Sequence, residues 1–442
     1  MNVGCEMTNE KSIITHYTLH IFFLLPLLLF TACSDFLTPV KGTSDPTEYE
    51  YNYWLLQRTY LFEDELSNLP KDGDSVGALY AALSDKYTQY IEPSYSEDVE
   101  MSINTSIVPG DVGMTYLLSE KAKYPLFTYR VYPNGPAGKA GVPRYANIRS
   151  INGIELTGED AYSNYRSVLD TSATVELVMT HDSSEYTFTL TKETIYAPTV
   201  FVDTLYGTIF VSLTGFKLST ADQEGGSYGE LRSYLDSTQG VKEPRVIDIR
   251  GNPGGHVEQC IAMADLFVKK GPLSTRSWRT FEPDGNPIRR SRTISASEGD
   301  AGEKGKFIIL ANDRSASCAE IFAAAVTDNT DIPLAGTTTY GKGIGQTNWK
   351  TAAGGLAIIT NLEFLTPKGN SYHHKGIVPD YECNDLTSTE CAVDVIEKHF
   401  GKSTKKSLLK GNPLESGSTE FHQVGTAKER DFGGAMLHYT DL

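Results

Sequence analysis

The sequence predicts a multidomain α/β protein, with a strand-rich module lying between a short helical region and a domain of alternating strands and helices. Three observations predict it. Hydrophobic residues are 40% and charged residues 21% of a 442-residue chain, enough for packed cores and, at roughly 150 residues per domain, for about three domains. From about Asn104 to Glu193 the chain is dense in β-branched and aromatic runs: VGMTYLL, FTYRVY, TVELVMT and EYTFTLT. From Ala197 onward, buried-strand runs such as RVIDIRG and KFIILAND alternate with helical stretches, the pattern of parallel pairing.

The N-terminus comes first. Ile21–Phe30 reads IFFLLPLLLF. Ten apolar residues are too few to span a bilayer, which takes about 20, but they suit a signal-peptide core. The run ends in Phe30-Thr31-Ala32-Cys33, which resembles a bacterial lipobox. That resemblance implies a signal peptide over residues 1–32, lipidation of Cys33, and a protein held by a lipid anchor in the bacterial cell envelope, facing the periplasm or the cell surface. Residues 33–103 are then a polar tether followed by a helical region, with Tyr51, Trp54, Leu55, Leu61 and Leu66 near helical spacing and a second short helix over Val76–Leu83.

Residues 104–193 form the strand-rich domain, with helix-like pieces at Ala137–Ala140 and Glu159–Leu169. Residues 194–401 form the α/β domain. Its strands are Thr208–Phe216, Arg245–Gly251 and Lys306–Asp313; its helices are Gly229–Asp236, Val257–Lys269 and Ala316–Val326. Residues 402–442 are rich in Gly, Ser and Lys and read as an irregular tail. A formal net charge of -17, with no basic patch beyond Lys402, Lys405, Lys406 and Lys410, excludes nucleic acid as a partner. The chain has 39 Gly but no triplet period, so it is not collagen-like.

Of the six cysteines, Cys5 leaves with the signal. Cys383 and Cys391 lie in one polar segment and are either a disulfide or two unrelated thiols. No Cys-x-x-Cys pair exists, which excludes a zinc ribbon. The histidines, including His373-His374, lack the carboxylate spacing of a metal site, so no metal is expected.

Two motif matches carry little. Gly225-Gly226-Ser227-Tyr228-Gly229 fits Gly-x-Ser-x-Gly, but polar STADQE precedes it where a nucleophile elbow needs a buried strand. Gly336–Gly343, GTTTYGKG, has Gly343 where a P-loop needs the Ser or Thr that holds magnesium. A third constellation is stronger. In NDRSASCAE a buried strand turns into a helix, presenting Ser317 at the tip with the Cys318 N–H beside it. The turn Gly251-Asn252-Pro253-Gly254-Gly255 follows another buried strand, and parallel strands bring such turns to one sheet edge. Lys342, in the turn Gly341-Lys342-Gly343, loses part of its preference for charge if desolvated and can then act as a base. Singly, each has an ordinary reading: a serine at a helix start is most often an N-cap, and a loop lysine is most often solvated. Their conjunction is what points to a site.

In the order DIRGNPGG, SASCAE, TYGKGIGQ, these residues resemble the C-terminal processing proteases, the tail-specific Ser/Lys peptidases. The resemblance covers roughly residues 45–400 and includes GIVPDYE (Gly376–Glu382). It implies a crotonase-like α/β protease domain. Ser317 would be the nucleophile, Lys342 its base and Gln346 the third catalytic member. The oxyanion would be held by the N–H of Cys318 and by Gly254 or Gly255. Cys318 stands where the family has alanine, and only its backbone is needed. PNGPAGKAGV followed by INGIEL resembles the second half of a PDZ domain, whose peptide-binding loop would hold Val112, Gly113 and Met114. The implied activity is a serine endopeptidase that cleaves protein or peptide substrates near their C-termini, with no cofactor. The alternative is a catalytically inactive PDZ scaffold that binds peptides.

Overall fold

In the computed structural model, the described residues are 46–401, apart from 74, 120 and 385–387, together with the strand Phe421–Val424. The signal peptide, Cys33 and most of the tail lie outside them. No described helix is long and apolar enough to cross a membrane.

The first helix, α1 (Glu48–Thr59), starts at Thr47, whose hydroxyl accepts the Glu50 N–H while Glu50 reaches back to the Thr47 N–H. This capping box satisfies two donors that helix geometry leaves open. It is followed by α2 (Val76–Ala81), the short strand β1 (Gln89–Ile91) and α3 (Pro93–Asn104), which opens on a proline whose missing N–H costs nothing there. Leu55, Leu56, Leu79 and Tyr80 pack not only on each other but on Ala357 and Ile359 of the later domain.

The strand-rich block runs β2 (Ile107–Asp111), β3 (Met114–Ser119), β4 (Leu126–Val131), α4 (Pro136–Lys139), β5 (Asn147–Ile151), β6 (Ile154–Glu155), α5 (Ala161–Thr171), β7 (Thr174–His181), β8 (Ser184–Thr191) and β9 (Glu193–Tyr196). Its main sheet is antiparallel in the order β3-β4-β5-β7-β8, while β2 pairs with β9. Alternation sets the inner face: Val175, Leu177 and Met179 of β7 are buried together with Tyr165 and Leu169 of α5.

The last domain is the expected α/β arrangement, with additions. It runs β10 (Val200–Leu205), β11 (Thr208–Leu213), α6 (Gly226–Ser237), β12 (Arg245–Asp248), α7 (Val257–Asp265), β13 (Pro272–Phe281), β14 (Pro287–Ser295), β15 (Phe307–Ala311), α8 (Cys318–Asn329), β16 (Leu334–Gly336), β17 (Ile344–Lys350), β18 (Leu356–Leu365), β19 (Tyr381–Glu382) and α9 (Ser388–Phe400). Strands β11, β12, β15, β16 and β19 pair in parallel, with β10 antiparallel on the edge. A second, antiparallel sheet orders β1-β18-β13-β14, with β17 also on β18. The helical N-terminal region therefore donates a strand to the α/β domain.

Phe216, Phe267 and Phe322 meet in the core between sheet and helices, and truncating such a ring to alanine costs about 3–5 kcal/mol. Within the tail, expected to be irregular, Phe421–Val424 is a strand, β20, paired antiparallel with β3. The unpaired N–H and C=O groups of an edge strand are the physical reason it takes a partner.

Candidate active site

Three turns at the carboxyl ends of neighbouring parallel strands converge, where α/β sheets form their sites. Hydrogen bonds lace them together. After β12, the carbonyl of Ile249 accepts the Ser315 hydroxyl (2.8 Å), the Gly251 N–H donates to Asn312 Oδ1 (2.9 Å), and the Asn252 carbonyl accepts the Ala316 N–H (2.9 Å). The third turn joins through the Tyr340 N–H, which donates to the Ser315 carbonyl at 3.0 Å.

Ser317 sits at the tip between β15 and α8, with φ 56° and ψ -116°. An L-residue held there stores of order 1–3 kcal/mol of strain. Close approach explains how it is held: a Cβ on Gly254 would come within 2.9 Å of the Ala316 carbonyl oxygen, the Cys318 nitrogen and the Ser317 Cβ. Gly254 also has φ +103°, so a side chain there is excluded twice over. The Cys318 N–H is the first of α8, one of the donors a helix leaves open. The Gly254 N–H donates to Asn252 Oδ1 at 2.9 Å.

Lys342 is 3% exposed. Its Nζ donates to Gln346 Oε1 at 3.1 Å and lies 4.5 Å from the centre of the Tyr87 ring. Burial pushes its pKa down from the ordinary 10.5 to about 8, against the attraction of Asp85 and Glu320. Gln346, on β17, is aimed by its own Nε2 donating to Thr360 Oγ1 (2.9 Å) across the strand pair. The Thr360 N–H in turn donates to Thr88 Oγ1, which donates to Asp85.

The sequence offered no signal for the group at the centre. Glu320, wholly buried in the first turn of α8, accepts four hydrogen bonds: from the N–H of Ser317 (2.9 Å), Gly341 (2.6 Å) and Lys342 (2.7 Å) and from the Thr339 hydroxyl (2.6 Å). One of its oxygens, Oε2, accepts from both Ser317 and Lys342, so one atom ties the serine turn to the lysine turn. Desolvation raises its pKa, and its four donors oppose that. On the other side of the lysine turn, the Gly341 carbonyl accepts the His374 N–H (2.8 Å) and lies 3.2 Å from His373 Nδ1. The histidine pair thus packs against the lysine turn. A cleft of about 590 Å³ opens beside it, lined by Phe62, Tyr87, Tyr340, Ile344, His373 and His374 among others.

The structure thus gathers Ser317, Cys318, Gly254, Lys342 and Gln346. Gly255 follows directly, at φ +144°. Val112, Gly113 and Met114 lie apart in the strand-rich block. Val112 and Met114 are buried there, and the Gly113 N–H donates to Asp111 Oδ1 at 2.7 Å. Ser227 of the Gly-x-Ser-x-Gly match is buried inside the fold, bonded to Thr199, Lys217 and Gly215. A strand, not the helix a P-loop needs, follows Lys342. Cysteines 383 and 391 form a disulfide, and a second, without sequence signal, joins Cys260 of α7 to Cys318.

Residues 208–383 match the family model for Peptidase family S41. The matched stretch runs from β11 through β19 of the α/β domain. The carboxy-terminal processing protease CtpA of Bacillus subtilis is 30% identical over 315 residues, 69% of this chain and 62% of that protein. A CtpA-like serine protease of Staphylococcus haemolyticus is 26% identical over 361 residues, 80% of this chain and 68% of that protein. The chain thus spans about two thirds of the length of these relatives. A solved structure from Bacteroides fragilis, assigned to the S41 proteases, shares the fold: TM-score 0.55 at 15% identity, over 83% of this chain and 100% of that one. The S41 match and these relatives support a protease function.

Proposed function

We propose that the protein is a Ser/Lys endopeptidase of the bacterial envelope, tethered through lipidated Cys33, that captures protein chains and cuts them near their C-termini. The observation that carries this reading is Lys342: an amine buried beside an aromatic ring, aimed by Gln346, depressed to about 8 and tied through Glu320 to the serine turn. Neutral Lys342 takes the proton from the Ser317 hydroxyl as Oγ bonds to the peptide carbonyl carbon. The carbonyl oxygen becomes an oxyanion, held by the Cys318 N–H and one glycine N–H, Gly254 or Gly255; each such donor contributes about 3 kcal/mol. The Gly254 N–H would have to leave Asn252 to serve; Gly255 needs no such exchange. Collapse breaks the C–N bond, and the departing amine takes the proton from Lys342. Water then releases the acyl group by the same base.

Two finer assignments belong with this reading. The parallel run β11-β12-β15-β16 with its helices supports a crotonase-like protease domain. The antiparallel block over 104–193, with α5 beside the edge strand β3, supports a PDZ module. A pure peptide-binding scaffold has no use for a neutral lysine held this way. The test is cleavage of a denatured protein, followed by mass spectrometry of the fragments. Ser317→Ala should leave the substrate whole, and equal cleavage by that form would sink the Ser/Lys reading. For the anchor, Cys33→Ser should move the protein from the membrane to the soluble fraction, and its retention on membranes would count against lipidation.

A further inference from the structure

The main sheet of the strand-rich block ends in β8 on one side and, once β20 is set aside, in β3 on the other. An edge strand is a template for another chain. Here the template is filled by the protein itself. Phe421 pairs with Ser119, His422 with Leu118, Gln423 with Leu117 and Val424 with Tyr116, antiparallel. The tail therefore runs toward the loop Val112–Met114 at the start of β3, the direction in which an extended peptide is added as a strand.

That loop is not arranged for a free chain end. The Gly113 N–H, which a terminal carboxylate would need, is already donated to Asp111 Oδ1. The Asp111 carboxylate itself stands where it would repel another. Its other oxygen has Arg166 at 3.8 Å, but that guanidinium also pairs with Asp170 at 2.6 Å. The strand that does occupy the edge agrees with this, because it is an internal segment: residues 425–442 follow it.

We propose that the outer edge of β3 is a strand-addition site for internal chain segments, and that Phe421–Val424 occupies it and competes with incoming substrate. The proposal rests on reading the block over 104–193 as a peptide-capturing module. A docked tail lowers apparent affinity by the fraction of time the edge is free. Substrate chains would be held by main-chain pairing along β3 with no requirement for a terminus.

The test uses the full chain carrying Ser317→Ala, so that nothing is cut, with His422→Pro and Gln423→Pro added singly. Alternate residues of an antiparallel strand donate to its partner, and proline cannot donate. One of the two prolines must therefore break the pairing. The Ser119 N–H is turned to the Pro125 carbonyl, so by alternation the Tyr116 and Leu118 amides face β20; their hydrogen exchange should then quicken about tenfold in that form, if the tail is docked about nine-tenths of the time. A peptide of residues 417–428, acetylated and amidated, should bind that form about tenfold more tightly than the parent. Unchanged exchange in both proline forms, with peptide binding intact, would refute tail occupancy and leave the capture reading standing. Faster exchange with no peptide binding in any form would refute capture, and the competition with it. Tenfold tighter binding of a free acid ending at Val424 than of the capped peptide would show a carboxylate reader and overturn the internal-segment claim.

Discussion

Replacing Lys342 by methionine should remove activity and raise stability at neutral pH. The lysine ammonium is desolvated in the fold, and its pKa falls from 10.5 to about 8. At about 1.4 kcal/mol per tenfold change, that depression is about 3 kcal/mol of destabilisation while the group is charged. Between pH 8 and pH 10.5 the unfolded chain binds the proton and the folded one does not, so stability rises with pH across that window. Methionine has a similar reach over the Tyr87 ring and no charge to desolvate. It forfeits the bond to Gln346, about 1 kcal/mol or somewhat more. The net gain is about 1–2 kcal/mol below pH 8; it should fall through zero between pH 8 and 10.5 and end as a loss of about 1 kcal/mol above that, where only the missing Gln346 bond counts. The assay is thermal unfolding of both forms from pH 6.5 to 9.5, beside peptide cleavage by the wild type. A base titrating at about 8 is neutral about a tenth of the time at pH 7 and about nine-tenths at pH 9, so cleavage should climb about tenfold along one limb. A methionine form less stable than wild type at pH 7, or a flat cleavage profile, would refute the reasoning.

Other outcomes follow from the same geometry. Ser317→Gly should be as inactive as Ser317→Ala yet melt higher, by about 1 kcal/mol, because glycine accepts φ 56° without strain; equal melting of the two forms would remove the strain argument. Cys260→Ser opens a crosslink between residues 58 apart and should cost about 4 kcal/mol by loop entropy, read by denaturant unfolding, while some cleavage survives because Cys318 serves through its N–H. Glu320→Gln places a donor where four donors converge, leaving buried N–H groups unpaired at about 1–3 kcal/mol each. That form should lose kcat far more than KM, and a change confined to KM would show that Glu320 does not position the two turns.

What the sequence made legible depended on whether a feature was local. FIILA is an unbroken apolar run, and RVID carries a buried Val-Ile pair at its centre, because both faces of a parallel strand are covered, so their turns and the serine at the second could be placed from pattern alone. β14, PIRRSRTIS, is exposed along nearly its whole length, so no apolar alternation marked it, and the hairpin it forms with β13 went unseen. Gln346 was named through resemblance; its place on β17 opposite Thr360 is a matter of strand register, which short-range pattern does not carry. Tyr87 and Asp85 reach the lysine from a region whose own sequence held no ionisable cluster, because β1 joins the α/β domain's sheet. Glu320 is the sharpest case. From the chain it is the third residue of a helix, where a glutamate capping the first turn is ordinary. The cap is there, from the Ser317 N–H. What pattern cannot reveal is that residues 339–342 arrive with three more donors, so that a common helix-start device becomes the joint between nucleophile and base. A group that acts by where three turns meet has no signature in any one of them, and sites of this kind are read from the fold upward.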